Sequence, residues 1–132
     1  MEYTTALILF ALLTLMMLMI EIMTTYATQG FSYGFSSNRG TVDRSPLALR
    51  VHRAYQNQVE SATYAVPILA AAAVTGLESS SAETAALLLV VGRGAFAVLY
   101  YSGVTFIRVP AFGLGTLSSI YIAYVLLSSG MS

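Results

Sequence analysis

A short polar segment, residues 50–64, carries most of the side chains that could bind or transform a ligand. Four of them follow the spacing i, i+4, i+7 and i+11: Arg53, Asn57, Glu60 and Tyr64. On an α-helix this spacing places all four side chains on one stripe. A guanidinium group in such a row is suited to binding a carboxylate, which it can hold with two parallel hydrogen bonds.

The amino-acid composition indicates whether a helix with this stripe belongs to a soluble or a membrane protein. Of the 132 residues, 57% are hydrophobic and only 9% are charged, and the mean hydropathy is +0.74. Soluble domains carry about 25% charged residues, which keep their surfaces hydrated. Four spans of about 20 residues each, with short connections, account for nearly the whole chain. The sequence therefore predicts an all-α integral membrane protein, a single domain (residues 1–132) folded as a four-transmembrane-helix bundle.

Local signals place the four helices. The first apolar run covers residues 5–26, and no basic residue precedes it as in a secretory signal, so it is read as a retained span. Residues 28–45 are rich in Gly, Ser and Asn and predict a loop. Ser45 and Pro46 then start a second helix that reaches Thr75. The helix is longer than the bilayer core, so its first two turns should project toward water.

In the second half of the chain, capping residues and a proline again mark where helices start. Ser80 and Glu83 match a capping box, which predicts that the third helix starts there and continues to about Ser102. Residues 103–109 form a turn, and Pro110 opens a fourth helix that ends near Ser128. The loop at 28–45 and the turn at 103–109 both carry arginine, which favours the cytoplasmic side for both. Both termini are then expected on the outer side.

Counting along these helices predicts a polar layer near the cytoplasmic face. Glu60 lies roughly 23 Å, and Glu21 and Tyr100 roughly 24–27 Å, below the outer helix ends. Arg93 lies nearer the midplane, and its long side chain is expected to extend toward that layer. The predicted members of this layer are Glu21, Asn57, Glu60, Tyr100 and Tyr101.

Two interpretations of the layer stay open. It could be a structural network in which Glu60 or Glu21 neutralises Arg93. It could instead be a site for a carboxylate-bearing ligand, because arginines outnumber acids four to two in helices two and three and the cytoplasmic turn. The second interpretation is favoured.

Other chemistry finds little support in the sequence. The chain has no cysteine, which excludes disulfides and thiolate metal sites, and no metal-ligand spacing is present. The formal net charge of zero gives no basic footprint for nucleic acid. His52, the single histidine, lies in the first turns of helix two and is expected to be a surface residue without a partner.

The pattern Arg53-Ala54-x-x-Asn57-x-x-Glu60, in a second span that follows a polar loop, resembles the signature of the MAPEG family. These are membrane-associated proteins in eicosanoid and glutathione metabolism. Residues Arg93, Tyr100 and Arg108 recur in similar order, and residues 100–108 resemble bacterial members in particular. The resemblance covers essentially the whole chain in the number of spans and the length of the loop.

The resemblance implies a homotrimer in a bacterial inner membrane that binds glutathione between subunits near the cytoplasmic face. It implies a glutathione-dependent transferase or peroxidase acting on hydrophobic substrates. The residues implied for glutathione binding are Arg53, Asn57, Glu60, Arg93, Tyr100 and Arg108. Counting from Arg93 along the family pattern selects Tyr100, whereas counting back from Arg108 selects Tyr101, so either tyrosine could belong to this set.

The chain departs from the family pattern in one region that concerns catalysis. Catalytic members carry an arginine at the cytoplasmic end of helix one, whereas residues 23–28 contain no cation here. Thiolate formation needs a cation or a strong donor nearby. One alternative is therefore a non-catalytic lipid-binding protein of the same fold. Another is a small multidrug-type transporter that would use Glu21.

Overall fold

The computed structural model describes residues 1–35, 45–104, 106 and 108–130. In this part of the chain all regular structure is α-helical, as the sequence predicts. Four helices follow one another: α1 (Tyr3–Phe35), α2 (Pro46–Thr75), α3 (Ser80–Ser102) and α4 (Arg108–Gly130).

Helix α1 has an apolar part and a short extension beyond a kink. The apolar part, Tyr3–Ala27, is long enough to cross a membrane and agrees with the predicted span. At Gly30 the backbone has φ 83° and ψ 168°, which breaks the helical path before the last turn. Only glycine adopts this conformation without a steric penalty. The predicted loop therefore starts too early, because helix resumes up to Phe35; its remaining residues, 36–44, lie outside the described residues.

The ends of α2 are those predicted. The Ser45 hydroxyl accepts a hydrogen bond from the Ala48 amide at 3.2 Å, and Pro46 occupies the first helical position. Gly76 ends the helix in the left-handed conformation (φ 63°), with its N–H directed to the carbonyls of the last turn. The cap satisfies one, and the proline removes another, of the four backbone donors that a helix start leaves open.

The start of α3 corrects the prediction by one residue. The cap is Ser79, not Ser80, because the Ser79 hydroxyl accepts the Ala82 amide at 3.2 Å. Glu83 lies in the first turn, where a carboxylate favours the positive end of the helix. The predicted end at Ser102 is confirmed, with Gly103 in the left-handed conformation (φ 79°). Helix α4 starts at Arg108, two residues before Pro110.

The helices form one bundle in which α2 lies beside the other three. Among the described helices, three are long and apolar enough to cross a membrane by themselves: α1, α3 and α4. Helix α2 is less apolar because of its polar segment, but its 30 residues pack along the membrane helices. The result is a four-helix membrane bundle whose second helix carries the polar side chains.

Helices α3 and α4 cross closely at two glycines. A Cβ added at Gly92 would lie 3.0 Å from the Gly115 backbone nitrogen and 3.2 Å from the Ala111 carbonyl oxygen. Small residues at membrane helix crossings allow this close backbone approach. The Arg93 side chain passes directly beside Gly115, where a Cβ would lie 3.2 Å from its Cδ. The crossing therefore also fixes the place of the buried arginine.

Candidate functional site

The predicted stripe on α2 lies along one edge of the helix and faces outward over much of its length. Arg53 and Glu60 are exposed on the bundle surface, and Asn57 between them is half-buried. The Asn57 carbonyl oxygen Oδ1 is buried and has no hydrogen-bond partner in the described structure. Farther along, the Tyr64 hydroxyl lies 3.4 Å from that of Thr116 on α4. The stripe is thus a row of polar groups whose hydrogen-bonding capacity is largely unused.

The C-terminal end of α3 meets the start of this row. Arg50, one turn before Arg53, donates from Nε to the Tyr101 carbonyl at 3.2 Å. A cation at this position favours the negative end of α3. Arg50 therefore joins the start of α2 to the end of α3.

The two candidate tyrosines face different groups. The guanidinium carbon of Arg108 lies 4.5 Å from the centre of the Tyr100 ring, a cation–π contact between the first turn of α4 and the last turns of α3. The Tyr101 hydroxyl is buried without a hydrogen-bond partner and interacts electrostatically with Glu21. The structure therefore places Tyr100 with Arg108 and Tyr101 with helix α1.

Arg93 does not reach the polar layer. It is 1% exposed, and its Nε donates to the Gln58 side-chain oxygen at 2.9 Å. Its guanidinium carbon lies 4.6 Å from the centre of the Phe96 ring. Gln58 in turn donates to the Thr14 hydroxyl at 3.0 Å. The interpretation in which Glu60 or Glu21 neutralises Arg93 is therefore wrong for the described structure, because Arg93 bonds to a neutral amide on α2 instead.

A further polar contact between α1 and α2 involves the single histidine. His52 Nδ1 lies 2.5 Å from Glu21 Oε1, and the two side chains are only 25% and 17% exposed. The second carboxylate oxygen, Oε2, is buried without a partner. The expectation of a surface histidine without a partner is therefore wrong. Sequence spacing could not reveal the pair, because the two residues lie on different helices.

An open apolar groove continues from the stripe toward the C-terminal end of α2. It lies between α2 and α4, has a volume of about 520 Å³, and begins at Tyr64, one turn beyond Glu60. Ile68, Ile120 and Tyr124 contribute to its walls. A hydrophobic molecule or acyl chain fits such a lining. Within the described ranges, no group of three or more His, Asp or Glu side chains could hold a metal ion.

Sequence reasoning missed Gln58, which is 0% exposed and the residue that joins α1, α2 and α3. A signal existed, because Gln58 shares a helical face with the small residues Ala54, Ser61 and Ala65. A glutamine among small residues in a membrane helix indicates a hydrogen bond to a neighbouring helix.

The fold and the site together define a helical membrane protein with a row of unused polar groups on its second helix, beside an apolar groove. The sequence model of the MAPEG family matches residues 3–128, nearly the whole chain. The chain belongs to the MAPEG family. No curated protein and no solved structure gives a significant match. Members of this family use glutathione, and the family includes glutathione transferases and peroxidases. Membership argues against a small multidrug-type transporter.

Proposed function

We propose that this protein is a glutathione-dependent transferase or peroxidase that acts on hydrophobic substrates. The observation that carries the proposal is the buried, unpartnered Oδ1 of Asn57 between exposed Arg53 and Glu60. A buried acceptor without a partner is rare in native proteins and costs about 1–3 kcal/mol. A ligand amide or ammonium that donates to it would remove this cost.

Each residue of the row has a role that fits the peptide. Arg53 binds a carboxylate of glutathione, Asn57 accepts from a peptide N–H, and Glu60 binds the ammonium group. Tyr100 and Arg108 contribute from the end of α3 and the start of α4, which Arg50 holds near the row. Arg93 is buried behind the row and bonded to Gln58, so its part is to hold α3 against α2 rather than to touch the peptide.

The proposed assembly is a homotrimer. The outward face of α2 carries exposed polar side chains at residues 53, 56, 60 and 63. Polar groups at membrane depth are costly in contact with lipid, so they face protein or a wet cavity. A second and third copy would cover this face and close the ligand site. We place the trimer in a bacterial inner membrane with both termini outside, since the arginine-bearing connections favour the cytoplasm.

The test compares melting temperatures in mild detergent with and without glutathione. Arg53→Ala and Glu60→Gln should leave the unliganded melting temperature nearly unchanged, because both side chains are exposed in the subunit and would line the wet ligand site between copies. The stabilisation by glutathione should fall in both variants, since it scales with affinity. Glu78→Gln is the matched control, an exposed glutamate at the other end of the bundle. It should keep the full stabilisation.

Two observations favour a second function. The groove between α2 and α4 is open and almost wholly apolar, and the end of α1 lacks the arginine of catalytic members. A non-catalytic lipid-binding protein of the same fold would have both features. In that case a phospholipid would raise the melting temperature and glutathione would have no effect on the wild-type protein.

A further inference from the structure

The end of α1 holds an acid–imidazole pair in the region where the chain has no arginine. Glu21 Oε1 lies 2.5 Å from His52 Nδ1, so the carboxylate accepts the Nδ1 proton and fixes the ring. The other ring nitrogen, Nε2, then carries the free lone pair. A carboxylate that orients an imidazole in this way also stabilises the ring when it gains a second proton.

The surroundings of the pair are charged and titratable on three helices. Glu21 comes from α1, and the buried Tyr101 hydroxyl on α3 interacts electrostatically with it. On α2 itself, Arg50 is held on the Tyr101 carbonyl, and Arg53 directly follows His52. Neither arginine makes an ion pair with Glu21 in the described structure, where the carboxylate's contact is with His52.

The position of His52 suits a role toward the proposed ligand. It is the residue before Arg53, so its Cα lies about 1.5 Å along the helix axis from that of the proposed carboxylate-binding residue. An extended tripeptide is about 10 Å long. With its two ends on Arg53 and Glu60, glutathione has its central cysteine beside Asn57, about 7.5 Å along the helix axis from His52. The cysteine and histidine side chains together can span that distance, and the His52 side chain is 25% exposed.

We propose that His52, positioned by Glu21, is the base that takes the thiol proton of bound glutathione. This rests on the proposed glutathione-dependent function. The S–H bond breaks, its electron pair stays on sulfur, and the proton moves to Nε2. The products are a thiolate and an imidazolium whose two protons face the sulfur and the Glu21 carboxylate. A charged imidazolium beside the sulfur supplies the cation that the end of α1 lacks.

The first measurement uses the single histidine of the chain. In protein with ¹⁵N-labelled histidine, the side chain gives one set of nitrogen signals, which distinguishes the two neutral tautomers from the imidazolium. At neutral pH we expect the Nδ1-protonated tautomer without ligand and the imidazolium after glutathione is added. S-methyl glutathione, which has no thiol proton, should leave the neutral tautomer. An Nε2-protonated ring, or an unchanged spectrum with glutathione, overturns the proposal.

The second measurement follows the ultraviolet absorbance of the bound thiolate as pH is raised. A free thiol of this kind ionises near pH 8.5, roughly. Wild-type protein should hold thiolate well below that pH, and His52→Gln should reduce the thiolate at neutral pH about tenfold, a shift of about one pKa unit. Glu21→Gln, which still accepts the Nδ1 proton but has no charge, should give an intermediate amount.

The two proposals fail differently. If glutathione does not raise the wild-type melting temperature, the glutathione site itself is wrong and both proposals fall. If glutathione stabilises wild-type and His52→Gln protein equally and both hold the same amount of thiolate, only the role of His52 falls. The expected pattern is equal stabilisation with unequal thiolate.

Discussion

Arg93 is a charged residue buried deep in an apolar bundle, and one neutral side chain, that of Gln58, supplies its hydrogen-bond acceptor. Gln58 accepts from its Nε, Phe96 lies under the guanidinium, and both Nη groups are without partners in the described structure. Gln58 also donates to Thr14, so one amide joins three helices. Hydrogen bonds to a charged group are worth about 1.5–3 kcal/mol, more than those between neutral groups.

The contact between Gln58 and Arg93 can be tested by removing first one partner and then both. Gln58→Met keeps the length of the side chain but leaves Nε of a buried cation without an acceptor. We expect a loss of roughly 1.5–3 kcal/mol in the free energy of unfolding, measured by titration with a denaturing detergent. The double variant Gln58→Met with Arg93→Met should recover much of this loss, because two apolar side chains leave nothing unpaired. A double variant as unstable as the single one would contradict this account.

At this scale the sequence revealed the types of residue but not their partners. The stripe of Arg53, Asn57 and Glu60 follows from helical spacing within one element, and it is present. The partners of Arg93 and His52 lie on other helices, and only the rotation of each helix about its own axis decides them. Periodicity in one helix indicates which of its faces is buried, but not which residues of the neighbouring helices meet that face.

At the scale of the elements, local chemistry predicts most helix ends. Proline and serine start α2, and glycines in the left-handed conformation end α2 and α3. The error at the start of α3 arose because two neighbouring serines can both cap a helix, and Ser79 rather than Ser80 has the extended backbone that a cap requires. The helix beyond residue 27 was missed because its residues are polar and glycine-containing, which is typical of loops.

Two glycines of α3 give a matched test of how α3 packs against α4. At Gly92 a Cβ would be 3.0 Å from backbone of α4, whereas at Gly94 it would meet nothing within 4 Å. Gly92→Ala should therefore lower the unfolding free energy by about 1–3 kcal/mol through overpacking. Gly94→Ala should be neutral or raise it by about 0.4–1 kcal/mol, because alanine loses less backbone entropy. Equal effects at the two positions would contradict the close crossing.

At the scale of the whole molecule, the bundle presents two kinds of outer surface. Helices α1 and α4 expose Leu, Ile, Met and Tyr side chains, which suit contact with lipid. Helix α2 exposes Arg53, Gln56 and Glu60 together with apolar residues such as Val66. The polar surface fits the homotrimer proposed above, in which α2 faces its own copies.

Single cysteines can test this arrangement, since the chain has none of its own. Val66→Cys on the exposed face of α2 should form disulfides between subunits, because the proposed trimer brings three copies of α2 together. Val98→Cys is the control, an equally apolar and exposed position on α3. It should not crosslink. Native mass spectrometry in mild detergent should show three chains, and a monomer or crosslinking at position 98 alone would reject the arrangement.

The contact between Gln58 and Arg93 also bears on how the chain enters its membrane during synthesis. An arginine near the centre of a lone inserting helix costs about 2.5–3.5 kcal/mol. Gln58 lies on α2, which the ribosome synthesises before α3, so the partner of Arg93 is already present when α3 emerges. The connection between α2 and α3 is only four residues long. The two helices can therefore enter the bilayer as a pair, and the arginine is spared exposure to lipid on the way in.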